Sequence, residues 1–147
     1  MRPFGLVLHR DGTWTHEGHR FTHARLRAVF DRCVRYLPEE GVYVVQIGRF
    51  RGQIEIEEAA FFVRSVDAET GEIALSDGSA ERLEVASLRA SAVDGALLCT
   101  VKRDLAARGL PARFTPAAQA ELLGRVEAGP EGPLLRLRGC LVPVPEL

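Results

Sequence analysis

The chain has 147 residues and a mass of 16.1 kDa, enough for one domain or for two small subdomains sharing a core. A chain of this size buries roughly 70% of its unfolded surface and needs neither a disulfide nor a metal to fold. Apolar residues make up 46% and charged residues 27%, which excludes intrinsic disorder, and 20 acids against 19 bases leave no global basic field of the kind that marks a nucleic-acid binder.

The apolar stretch that ends at His9-Arg10-Asp11 is too short for a signal-peptide core. The longest apolar run, Ala59 to Val63, is far below the ~20 residues that span a bilayer. Cys33, Cys99 and Cys140 are widely spaced with no C-x-x-C pair, so neither a disulfide framework nor a zinc knuckle is indicated. A reducing cytoplasm is the expected location. Charge is uneven along the chain. Residues 1–53 carry 9 bases and 5 acids, residues 54–100 carry 3 and 10, and residues 101–147 carry 7 and 5. That asymmetry suits either complementary subdomains or a face for a charged partner.

In chain order, Asp11-Gly12 between two extended runs predicts a hairpin, because both residues tolerate positive φ. Trp14 falls on the returning strand, and Glu17-Gly18 reads as a second turn. A helix follows, with Thr22 as its N-cap and a staple between Phe21 and Leu26. Its apolar stripe is Leu26, Val29, Phe30, Cys33 and Leu37; Asp31 and Arg35 are spaced to pair, and Pro38 and Gly41 end it. Strands are expected at Val42 to Ile47, at the alternating Gln53 to Glu57, at Phe61 to Val66, at Glu72 to Ser76 and at Ala96 to Val101, with turns at Thr70-Gly71 and Asp77-Gly78. A second helix opens with Thr115 as N-cap and Pro116 at the first position. Its stripe is Ala118, Leu122, Leu123 and Val126, and Glu121 can pair with Arg125. Leu134 to Leu137 and Leu141 to Val144 read as closing strands.

The two helices have related surroundings. Arg20-Phe21-Thr22-His23-Ala24 echoes Arg113-Phe114-Thr115-Pro116-Ala117, and Gly41 and Gly48 echo Gly132 and Gly139. A repeated motif of helix, turn and β segment is therefore expected. The fold class that follows is α+β, antiparallel and β-rich, with two similar packed halves over residues 1–66 and 67–147, each holding one amphipathic helix.

No nucleophile elbow and no glycine-rich phosphate loop occur. His16, His19 and His23, with Glu17 among them, are of the types that ligate zinc, but they lack the i,i+4 spacing of a zincin helix. Surface histidines are the expectation, a metal centre or metal-dependent hydrolase the alternative. Glu57 and Glu58 are adjacent in a strand and point to opposite faces, which argues against a shared acid–base site. Arg25, Arg32 and Arg35, with Arg49 and Arg51 flanking Phe50, offer an anionic-ligand or RNA face; a solvated helix surface is the simpler expectation.

Asp11-Gly12-Thr13-Trp14-Thr15-His16-Glu17-Gly18, followed by Phe21-Thr22 and Leu26 to Phe30, resembles the start of a small uncharacterised proteobacterial domain-of-unknown-function family. Ile56-Glu57-Glu58-Ala59-Ala60-Phe61 resembles a later block of that family, Val-Glu-Asp-Ala-Pro-Phe, departing at Glu58 and Ala60. Val101 to Ala107 and Arg113 to Leu123 fit its closing pattern more loosely, so the resemblance runs over nearly the whole chain. It implies two packed α+β motifs, a likeness to pleckstrin-homology-type β-sandwich modules, and a role in ligand binding or signalling with no established catalytic residues. The expected function is a non-enzymatic, cytoplasmic module without a cofactor, for a small-molecule or protein partner. Its site is expected in a cleft between the halves, near Trp14, Glu17 and Glu57, Glu58 and Phe61.

Overall fold

The computed structural model describes residues 3–147; Met1 and Arg2, the start of the short N-terminal apolar stretch, lie outside the described residues. The elements run β1 (Pro3–Leu8), β2 (Trp14–His16), β3 (His19–Arg20), α1 (Ala24–Arg32), β4 (Val34–Leu37), β5 (Val42–Ile47) and β6 (Phe50–Ile56). They continue with β7 (Phe61–Val66), β8 (Glu72–Leu75), β9 (Ala80–Arg82), a 3-10 turn (Val85–Ser87), β10 (Arg89–Ala90), β11 (Leu97–Val101) and β12 (Leu110–Phe114). The chain closes with α2 (Pro116–Leu123), β13 (Val126–Gly129), β14 (Gly132–Leu137) and β15 (Cys140–Pro143).

Two six-stranded sheets share one plan. The first has the order β3-β2-β1-β6-β5-β4, and the second β10-β11-β12-β7-β8-β9. Each is two antiparallel three-stranded meanders joined where the first strand of one meander lies parallel to the last strand of the other: β1 beside β6, and β7 beside β12. α1 connects the two meanders of the first sheet, and the 3-10 turn connects those of the second. α2 and the small sheet β13-β14-β15 then repeat the helix-plus-meander unit of α1 and β4-β5-β6. The same bond follows each helix: Gln46 N donates to Cys33 O, and Arg136 N donates to Arg125 O. The expected echo is thus a structural repeat. The second sheet begins at Phe61, inside the stretch expected to belong to the N-terminal half.

The turns form where small polar residues allow them. Gly12 and Gly18 take φ of 88° and 84°, and the Asp11 carboxylate accepts from both the backbone N–H and the hydroxyl of Thr13. One contiguous core runs from Leu6 and Trp14 through Phe61, Val63, Phe114 and Leu122 to Leu135, so the sheets are packed as a single body.

The helices differ from expectation in five respects. The N-cap of α1 is His23, which makes no side-chain cap bond, and not Thr22. Phe21 does not staple Leu26. Its ring meets Phe30 edge-on at 5.0 Å and stacks on Trp14 at 6.3 Å, and Leu26 stays 44% exposed. α1 also stops at Arg32, because β-branched Val34 and aromatic Tyr36 favour a strand and Pro38 forces Leu37 out of helical backbone. Val34 is buried and Tyr36 pairs with Tyr43 across β4 and β5. Val126 likewise belongs to β13 and not to a helical stripe. The Asp31–Arg35 pair does not form. Arg35 donates to the carbonyls of Arg32 and Val34, and Asp31 binds Arg64.

α2 starts as expected, with Thr115 Oγ1 accepting from Ala118 N at 3.2 Å and Pro116 in the first turn. It buries Ala118 and Leu122 against the second sheet but leaves Leu123 48% exposed. The apolar faces of the two helices therefore do not close on one another. Leu122→Ala should lower stability by about 2–5 kcal/mol, and Leu123→Ala by no more than about 0.5 kcal/mol. Urea unfolding of the two variants measures both.

Candidate functional site

Between the helices lies an open cleft of about 640 Å3. α1 supplies Arg27 and Asp31 to one wall, and Phe62 and Arg64 of β7 lie beside them. The opposite wall is Arg113 at the end of β12, with Gln119, Ala120 and Leu123 of α2. Two Asp-Gly turns form the rims: Asp11-Gly12 between β1 and β2, and Asp94-Gly95 between β10 and β11. Gly12 and Gly95 both have positive φ, which lets the chain reverse tightly at the mouth.

Strand alternation decides which aromatics reach the cleft. Phe61 faces the core, 1% exposed, with Tyr43 at 6.1 Å and the Lys102 ammonium 4.8 Å over its ring. Phe62, its neighbour, turns toward the cleft. Trp14 lies below α1, fully buried, with Phe30 edge-on at 5.5 Å. Its indole N–H donates to Asp31 Oδ1 at 2.8 Å, while Asp31 Oδ2 accepts from Arg64 at 2.7 Å. Burial raises the Asp31 pKa, outweighing the Trp14 bond and the Arg64 charge that pull it down.

On the other side the charges form a chain. Arg113 grips Asp94 through both Nη atoms and reaches Glu58 Oε1 at 2.8 Å. Ser91 donates to the second Glu58 oxygen. Arg10 donates to Glu57 Oε1 at 2.6 Å, and its Nε stands 3.7 Å from Asp94. His9 joins the end, with Nδ1 at 2.8 Å from Glu57 and Nε2 at 2.9 Å from Thr15 Oγ1. The Arg113 fork, with help from the Ala96 N–H, holds the Asp94 carboxyl down to about 2.

The expected site residues are thus divided. Glu57 and Glu58 sit in the charge chain beside the cleft, and Trp14 and Phe61 lie beneath it. Glu17 does not line the cleft; it stands in the β2–β3 turn at φ 49°, with its N–H bonded to Gly5 O. His16 and His19 face each other across that turn and His23 caps α1, and no group of three or more His, Cys, Asp or Glu side chains converges as a metal site among the described residues. In the arginine-rich segments Arg35 donates to the carbonyls of Arg32 and Val34, and Arg51 donates to Gln46 Oε1. Cys99 is buried, its thiol pushed up to about 12 by burial. Cys33 is only partly buried, at the end of α1, and Cys140 is exposed. Lys102, the one lysine, is held inside by Asp77 at 2.8 Å and Ser79 at 3.1 Å.

Sequence reasoning missed Arg27, Arg64, Asp94 and Arg113 as cleft residues. Asp94-Gly95 carries the same turn signal as Asp11-Gly12 and could have been found. Arg64 and Arg113 are brought together by the pairing of β7 with β12, and Arg27 joins them from α1, which Asp31 ties to Arg64.

No protein-family model matches this chain, and no curated protein does. Its fold is similar to that of two crystallised proteins of the DUF1285 family. The one from Silicibacter pomeroyi DSS-3 is 17% identical, with a TM-score of 0.65 over 97% of this chain and 80% of the other. The one from Shewanella baltica OS155 is 13% identical, with a TM-score of 0.55 over 83% of this chain and 91% of the other. At these identities the likeness establishes a shared fold. It agrees with the resemblance to an uncharacterised domain family and carries no activity with it.

Asp94 gives the cleft an acid-side signature. Its folded pKa lies below the ordinary aspartate value of 3.8, so its contribution is present above about pH 4 and is lost as pH falls toward 2. Asp94→Asn should therefore be less stable than the parent at pH 7 and approach it near pH 2, read from urea midpoints at the two pH values.

Proposed function

We propose that this chain is a non-catalytic binding module whose small-molecule ligand occupies the cleft between α1 and α2. The observation that carries this reading is the cleft itself: polar side chains from α1, β7, β12, α2 and two turns converge on one concave space beside an exposed leucine. Most of the charged groups around it are held in ion pairs, Asp31 with Arg64 and both Glu58 and Asp94 with Arg113, which supports recognition over catalysis.

The reading extends to signalling in the cytoplasm, where ligand occupancy would be reported through α1. That helix has no fully buried residue and closes one wall of the cleft. The pleckstrin-homology likeness of the C-terminal half rests on the sequence resemblance. Among the described residues no helix is long and apolar enough to cross a membrane.

A fragment library screened by amide chemical shifts tests the site. Binding fragments should move the resonances of Gly12, Gly95 and Gln119 together, and Leu123→Glu, a change at an exposed position, should abolish those shifts without altering the melting temperature. Fragments that bind elsewhere, or that bind the Leu123→Glu variant equally well, would remove the cleft from consideration.

A further inference from the structure

Building on the cleft reading above, we infer that the ligand is an organic anion: a carboxylate or phosphate group joined to an apolar body. The inference comes from counting the hydrogen-bonding capacity that the fold leaves unused. Four arginines and three aspartates line the cleft. Both oxygens of Asp31 already accept, from Trp14 and Arg64, and both oxygens of Asp94 accept from Arg113. Asp11, at the rim, accepts two bonds from Thr13 of its own hairpin, both through Oδ1, which leaves Oδ2 open.

The donors are not used up in the same way. A guanidinium carries five N–H groups and has no acceptor. Arg64 spends one nitrogen, Nη2, on Asp31. The Arg27 guanidinium stands exposed on α1 and makes no hydrogen bond or salt bridge to a described residue; its charge acts on Asp31, four positions on, only through space. Gln119 is oriented in the same sense. Its Oε1 accepts from Leu97 N at 3.0 Å, which fixes the side chain and leaves the amide NH2 as the group to offer. The space therefore presents more open donors than open acceptors, and one of those donors, Arg27, is a full charge with no hydrogen-bonded partner. An oxygen-rich anion satisfies it, because charge-assisted bonds from guanidinium to carboxylate or phosphate are among the stronger polar contacts. Neutral hydroxyl compounds would use only part of the same capacity.

The apolar part has its own place. Leu123 is 48% exposed, Ala120 lies one turn earlier on the same helix, and Phe62 stands on the strand between the helices. A hydrocarbon or aromatic body seated there would cover Leu123 while its acidic group meets Arg27 across the cleft.

The test is a titration of the isotopically labelled full chain with three probes of similar body: sodium benzoate, phenyl phosphate and benzyl alcohol. Saturable movement of the Gln119 and Ala120 amides by benzoate or phenyl phosphate is expected, with benzyl alcohol at least about tenfold weaker. Arg27→Gln, at an exposed position, should weaken the acids about tenfold and leave the alcohol unchanged. The tighter of the two acids identifies the head group. If benzyl alcohol binds in the cleft as well as the acids do, or Arg27→Gln changes nothing, the anion assignment is overturned while the cleft remains a binding site. If no probe moves the cleft amides, the assignment falls together with the cleft reading.

Discussion

A buried indole N–H must find an acceptor, and the place where Trp14 finds one organises this molecule. The ring is fully inside the first sheet, so leaving its donor unpaired would cost about 1–3 kcal/mol. Asp31 meets that need from α1, a helix of nine residues with none of them fully buried. Such a short helix has little intrinsic stability and must be held by tertiary contacts. Phe30, packed on Phe21 and Trp14, supplies the apolar hold, and the indole–carboxylate bond supplies the directional one. Arg64 then binds the second Asp31 oxygen and ties the helix to the second sheet. The position of one cleft wall descends from that pair of bonds.

The opposite wall is built differently. α2 is rooted by Ala118 and Leu122 against β7 and β12, and the Thr115 cap fixes where it starts. Ion pairs among Glu58, Arg113, Asp94, Arg10 and Glu57 then lace the loops at the mouth to the ends of the central strands β6 and β12. Isolated surface pairs contribute little, but here the Arg113 side chain is only 12% exposed and bridges two carboxylates, so it constrains geometry more than an open pair would. The result is an asymmetric cleft, with one firmly rooted wall and one lightly held wall.

Much of the β architecture was legible because its signals are local. Asp11-Gly12, Glu17-Gly18 and Asp77-Gly78 mark turns by backbone chemistry alone, and alternation over Gln53 to Glu57 marks a half-buried strand wherever it occurs. The spacing echo between the two helix units was legible for the same reason, since each unit carries its own turn glycines. The end of α1 was not, because Cys33 to Leu37 continues a helical stripe until β5 is present to pair with it. The cleft was the least legible part. Glu57 and Glu58 were singled out and do flank it, and Asp94 reaches Arg113 within the β10-β11-β12 meander, but Arg64 and Arg113 share the cleft only through the parallel contact of β7 with β12, which joins residues some fifty positions apart. No periodicity within either segment announces that contact.

Replacing Trp14 with 3-benzothienylalanine isolates the central bond, since it keeps a fused ring of nearly the same shape and exchanges only the N–H for sulfur. Amide hydrogen exchange under native conditions should then show α1, from Arg27 to Arg32, losing protection about tenfold relative to β5 and β11, whose amides report the two sheets. Equal protection of α1 in the variant and the parent would mean that the indole–Asp31 bond does not hold the helix, and that the cleft wall is set by something else.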